Sequence, residues 1–205
     1  MIYTHHNDGS AQRAQRAQTL THTPIGVLIG EEETLIRKLI LKRLDKEERS
    51  LGESVDYVRH ILRTSLPAFF KFALFTPLSQ HRRKLPPAPY RVARIVATQD
   101  EDCGSCVQIE VNLAREDGVP AEVVRAVLNN RPEELTPELA DVYRFAKAVV
   151  EASDGEAEFR ERLRERYGEE GLVEMALGIA AARVFPVTKR ALGYATSCAL
   201  VEMKV

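Results

Sequence analysis

Tryptophan is absent from this 205-residue chain, cysteine occurs three times, histidine five times, and neither charge sign is in excess. Each scarcity excludes something. With 29 Lys and Arg against 30 Asp and Glu, there is no global field to draw nucleic acid or an acidic ligand. Three cysteines are too few to staple a small secreted domain, so a reducing, cytoplasmic setting is expected. Nothing at the N-terminus resembles a secretory h-region; residues 1–23 are polar, with His5, His6 and an Ala-Gln-Arg repeat. The longest apolar stretches, Leu66 to Leu78 and Leu172 to Val187, read as too short or too charged to span a bilayer. No phosphate loop, dinucleotide fingerprint, Ser elbow or His-Glu-x-x-His occurs, and no cofactor is expected. The basic patch His81-Arg-Arg-Lys84 reads as a solvated loop, so no nucleic-acid partner is expected.

What is present is concentrated in Gln99-Asp-Glu-Asp-Cys-Gly-Ser-Cys-Val-Gln-Ile-Glu110. Cys103 and Cys106 stand where a polar turn gives way to an apolar-periodic segment. Asp102 reads as the N-cap of a helix carrying Val107, Ile109, Val111, Leu113 and Ala114. Both sulfurs then fall in the first turn, where free amides and the helix dipole favour thiolate. The acidic run Asp100-Glu101-Asp102 opposes ionisation of the nearer thiol. Cys103 is therefore expected to stay protonated while Cys106 ionises more readily.

The rest of the chain is read as all-α. Residues 1–30 lack periodicity and form a leader. Residues 31–80 form an N-terminal helical extension, and residues 81–205 the cysteine-bearing helical domain. In the extension, Leu35, Ile36, Leu39, Ile40, Leu41 and Leu44 alternate with Arg37, Lys38, Lys42, Arg43 and Lys46. Acidic neighbours offset that basic face, so it reads as a solvated helix covering the domain, with peripheral membrane contact as the alternative. A helix from Ser54 to Leu66 follows, and Pro67 opens another carrying a phenylalanine cluster assigned to core packing. Further helices are expected over Tyr90 to Thr98, from Pro120, after Thr136-Pro137, and from Glu156 to Tyr167. A last apolar helix, from Gly171 toward Ala199, should be kinked or split at Pro186.

The order of these features resembles the carboxymuconolactone decarboxylase and alkyl hydroperoxidase D-like superfamily. The resemblance spans residues 89–193. Its carriers are Asp102-Cys-Gly-Ser-Cys-Val-Gln108, Asn112-Leu-Ala-Arg-Glu-Asp-Gly-Val-Pro120, Leu135-Thr-Pro-Glu-Leu-Ala140, Tyr143-Arg-Phe-Ala-Lys-Ala148 and Leu172-Val-Glu-Met-Ala-Leu-Gly-Ile-Ala180. It implies an alkyl hydroperoxidase D-like helical fold assembling as a homo-oligomer, trimer or hexamer. It also implies thiol peroxidase or disulfide oxidoreductase activity on a small hydroperoxide or disulfide, with an external dithiol as reductant. Carried over, Cys106 is the peroxidatic residue and Cys103 the proton donor and resolving thiol, capturing the sulfenic acid before overoxidation.

Two positions depart from the family pattern. The redox members place a histidine four residues after the second cysteine and a glutamate twelve before the first; this chain has Glu110 and Arg91. Glu110 should share the face of Cys106 and is a candidate general base, Arg91 a candidate guanidinium partner for it, and Glu101 an alternative carboxylate. Three other readings compete. A zinc site would have to recruit Cys198 with a histidine or carboxylate, since no second Cys-x-x-Cys occurs. Cys198 by itself reads as a small apolar residue. A cofactor-free decarboxylase or lactone-processing enzyme of the same superfamily would not need the pair. A non-enzymatic or redox-sensing oligomer would use residues 31–80 for a partner or a membrane surface.

Overall fold

A computed structural model describes residues 24–195, with side chains from residue 34 onward. Among these the fold is all-helical and contains no strand. The leader up to residue 23, with His5 and His6, and Cys198 lie outside the described residues. The chain divides into two compact units, with the boundary between Arg43 and Leu44.

The first helix, α1 (Pro24–Leu51), begins earlier than the periodicity suggested and runs through that boundary. In the first unit, Leu35, Ile36 and Leu39 of its apolar stripe are exposed. Everything that follows belongs to the second unit. Gly52, at φ 72°, ends α1, and α2 (Asp56–Thr64) follows. Ser65 then caps α3 (Leu66–Ala73), its hydroxyl accepting from the Ala68 amide at 3.3 Å, and α4 (Phe75–Ser79) continues the chain. The phenylalanines divide. Phe69 is buried, and Phe72 meets Tyr57 and Phe185 edge-on with ring centroids 6.0 and 5.9 Å away. Phe70 and Phe75 instead lie exposed beside Leu74 and Leu78, so the core assignment holds for only part of the cluster.

The centre of this unit is α5 (Pro87–Gln99), in which every residue from Pro89 to Thr98 is buried. Packed on it are α6 (Gly104–Glu116), α7 (Ala121–Leu128), α8 (Pro137–Val150) and α9 (Glu156–Ala191), with a 3₁₀ turn at Pro132–Glu134. Thr136 caps α8 through the Leu139 amide at 3.4 Å. One close approach explains a small residue: a Cβ at Gly178 would lie 2.7 Å from the Tyr90 ring, so α5 and α9 meet at this distance only with glycine there.

The last helix departs from expectation. Gly168, at φ 73° and ψ 175°, interrupts α9 where the charged segment was expected to end. Pro186 neither splits nor ends it. It leaves the Ala182 carbonyl without an amide partner from position 186 but does not interrupt the helical dihedrals. The helix stops at Ala191, because Gly193 at φ 76° lets the Tyr194 amide close back on the Lys189 carbonyl at 2.9 Å. By length and composition α9 could cross a membrane, contrary to the reading of Leu172 to Val187 as too short or charged. Half of its apolar window is buried within the protein, so core packing accounts for that composition.

Glu174 on α9 anchors the loop before α5. It is 1 % exposed, and its carboxylate accepts from the Arg83, Lys84 and Leu85 amides at 2.8 to 3.1 Å. Burial pushes its pKa up, but the three amides and His81 outweigh burial, and the value lies below the ordinary 4.5. The carboxylate's stabilisation is therefore fully present above pH 4.5 and fades as acid protonates it. Glu174→Ala should cost about 3 kcal/mol in urea unfolding at pH 7. Glu174→Gln should cost less at pH 7, and its deficit relative to wild type should narrow as pH falls below 4.5.

Candidate redox site

The turn carrying the cysteines is built by backbone geometry and by cations from α9. After α5, the Glu101 and Asp102 amides fold back onto the Thr98 and Gln99 carbonyls at 3.2 and 3.1 Å. Asp102 takes φ 47°, a left-handed conformation, and Cys103 rather than Asp102 becomes the N-cap of α6. Most non-glycine residues resist that φ, whereas Asp, with its short polar side chain, tolerates it, so the acidic residue occupies the turn and stands one place too early to cap. The Cys103 carbonyl accepts from the Cys106 and Val107 amides at 2.9 and 3.0 Å, starting the helix at the first sulfur.

Both cysteines are free and buried, Cys103 at 1 % and Cys106 at 8 % exposure. The Ser105 hydroxyl between them lies 3.6 Å from the Cys103 sulfur. Into that hydroxyl the Lys189 ammonium of α9 donates at 2.5 Å. Lys189 is itself buried. Two groups from the segment before and within α2 complete the surroundings. Glu53 lies within electrostatic reach of Lys189 and Cys103, and Tyr57 within reach of both sulfurs.

The electrostatics reverse the expected order of ionisation. The Cys106 thiol, donating to Cys103, is the main influence holding the Cys103 pKa down. Burial opposes it, and Ser105, the Cys106 amide and Lys189 assist, bringing it to about 5 from the ordinary 9.0. Cys106 is correspondingly pushed up, by that same hydrogen bond, by burial and by the neighbouring charge. These influences favour the anion on Cys103 over Cys106. The acidic run fails to prevent this because its carboxylates are engaged. Glu101 accepts from Arg183 at 2.5 Å while its carbonyl accepts from Arg190, and Asp100 lies 3.6 Å from Arg183. Burial and the Cys103 charge raise Glu53, with Lys189 opposing, and burial and both sulfurs raise Tyr57.

The remaining candidates form a second cluster. Glu110 is buried one turn along α6 from Cys106, but both of its oxygens are taken by α5. Arg94 donates at 2.9 and 2.5 Å, and Arg91 at 3.4 Å. The Arg91–Glu110 pair thus exists but is the lesser one, since Arg91 gives its stronger bond to Asp117 at 2.8 Å. Burial lowers the Arg94 pKa and Glu110 more than restores it, so a charged, bidentate pair occupies the position where a base was sought. Glu101 acts as an anchor of the cysteine turn. Sequence reasoning missed Arg94, Lys189, Ser105 and Tyr57. The one available signal was the Lys189-Arg190 pair that follows the apolar stretch through Phe185-Pro186. Among the described residues no three His, Cys, Asp or Glu side chains gather as a metal-binding group.

Compared with known proteins, the chain matches no family model, no curated protein and no solved structure.

Two outcomes follow from this geometry. Glu110→Gln should cost about 3 kcal/mol in chemical denaturation, because it leaves the Arg94 guanidinium buried without its anion. Between pH 5 and 9 the folded pair binds one proton fewer than the unfolded thiols, so its contribution to stability grows as pH rises and declines again above 9. The difference in unfolding free energy between wild type and Cys103→Ser should accordingly widen from pH 5.5 to about 8.5, as measured by urea titration.

Proposed function

We propose that this chain is a cofactor-free thiol oxidoreductase, a peroxidase or disulfide reductase of the alkyl hydroperoxidase D-like type, with Cys106 and Cys103 as its reacting groups. The observation that carries the reading is the pair of free, buried thiols at a helix start, with a lysine-backed hydroxyl beside them. Cys106, the more exposed, is the point of entry for substrate. Its sulfur is a thiol at rest, and the Cys103 thiolate beside it is the base that receives its proton.

The cycle balances as follows. Cys106 passes its proton to Cys103 and attacks the terminal oxygen of a hydroperoxide. The O–O bond breaks, giving Cys106 sulfenic acid and an alkoxide that takes the proton back from Cys103. The Cys103 thiolate, restored, attacks the sulfenic sulfur and displaces hydroxide, which a solvent proton converts to water, leaving the Cys103–Cys106 disulfide. An external dithiol reduces that disulfide by exchange and is itself oxidised. Cys103 thus serves as base, acid and resolving nucleophile in turn, tasks served by a pKa that lets both of its protonation states form. Glu110 and Arg91 act through the fold, by holding the base of the cysteine helix against α5. Assembly into trimers or hexamers belongs to the same proposal.

Mass spectrometry of thiol-labelled protein after a small excess of hydroperoxide tests the reading. Wild type should form the Cys103–Cys106 disulfide, Cys103→Ser should accumulate sulfenic acid on Cys106, and Cys106→Ser should form neither. Glu110→Gln, where it folds, should retain Cys106 oxidation. Thiols that remain reduced, or that react only as slowly as an ordinary free cysteine, would refute the peroxidase reading.

A further inference from the structure

We infer that Lys189, acting through the Ser105 hydroxyl, is the positioning residue that holds a positive charge beside the cysteine pair and favours its thiolate, next to a helix that carries glutamate at position 110 where the resembling redox members carry histidine. The inference deepens the thiol chemistry proposed above and rests on it for its purpose, though not for its test. Three observations carry it. Lys189 is buried, yet it donates at 2.5 Å to a hydroxyl that is itself 3.6 Å from the Cys103 sulfur. With its oxygen accepting from the ammonium, Ser105 has its own proton free to give, and the sulfur is the anion in reach. The backbone of Lys189 is held as well, since its carbonyl accepts the Tyr194 amide where α9 ends.

The groups around the pair divide by charge, and Lys189 and Ser105 favour the anion on either sulfur. A cation and a hydroxyl approach the pair from α9 and the first turn of α6, while Glu53 and Tyr57 face it from the segment before and within α2. The other cations of α9 near this turn, Arg183 and Arg190, are engaged by Glu101, and Arg183 by Asp100 too. Lys189 is therefore the α9 cation directed at the sulfurs through a hydrogen bond. Glu53, facing both Lys189 and Cys103, opposes the thiolate and limits how far the cation can lower it.

The test is the pH dependence of iodoacetamide alkylation at Cys103, mapped by fragmentation mass spectrometry in fully reduced protein without peroxide. In wild type the half-alkylation point should lie near pH 5. Lys189→Met should raise it by about one to three pH units. Ser105→Ala should move it in the same direction, and Lys189→Arg should restore much of the wild-type profile. A Lys189→Met protein with native circular dichroism and an unmoved midpoint would overturn the inference. Where that variant does not fold, an unmoved midpoint in Ser105→Ala does the same. The two readings fail separately. A midpoint that follows Lys189 in a protein inert to hydroperoxide upholds this role while removing the peroxidase.

Discussion

Arg94 is 2 % exposed, its guanidinium makes four hydrogen bonds to three residues on three helices, and the rest of the second unit is arranged around it. It forks onto both oxygens of Glu110 on α6, donates at 2.9 Å to the Ser79 carbonyl ending α4, and reaches the Gly178 carbonyl of α9 at 3.3 Å. Its carbon lies 5.5 Å from the Tyr90 ring centroid, and the Tyr90 hydroxyl donates to that same Ser79 carbonyl at 2.6 Å. A charge with so little water is tolerable only because each of its donors is aimed at an acceptor. The same bonds fix where α6 begins and how α9 crosses α5, and so bring a lysine of one helix to the cysteines of the other.

That arrangement reassigns what the acidic and basic residues do. Carboxylates that read as catalytic from their spacing, Glu110 and Glu101, are structural anions, each paired with an arginine from another helix. The groups beside the sulfurs are a lysine and a serine. In the proposed chemistry, these two groups take the place that histidine holds in redox members of the superfamily the sequence resembles. What a thiol at a helix start needs is a hydrogen-bond donor backed by positive charge, and several residue types provide that.

Much of the fold was legible because helices announce themselves locally. Thr136-Pro137 and Pro67 are start signals whose effect depends on near neighbours, whereas Ser65, read as part of the preceding helix, caps the next. The cysteine pair was legible for the same reason. Asp102 was misread as a cap because its left-handed backbone depends on how the turn meets α9. Pro186, expected to kink or split the helix, does not split it, because a proline within a packed helix can be held in place by its buried surroundings. Arg94 and Lys189 stand 16 and 84 residues from their partners Glu110 and Ser105. Periodicity does not indicate pairings across such separations.

The lowered Cys103 and raised Cys106 pKa have a consequence for the electrons of the proposed cycle. A pair that keeps one thiolate at neutral pH would take up two electrons but only one proton when its disulfide is reduced. The midpoint potential of such a couple falls by about 30 mV per pH unit, half the slope of an ordinary dithiol. The pair becomes relatively more oxidising than a conventional dithiol partner as the medium grows alkaline. In the proposed cycle, the direction of electron flow between this site and an external dithiol is thereby tied to the pH at which they meet.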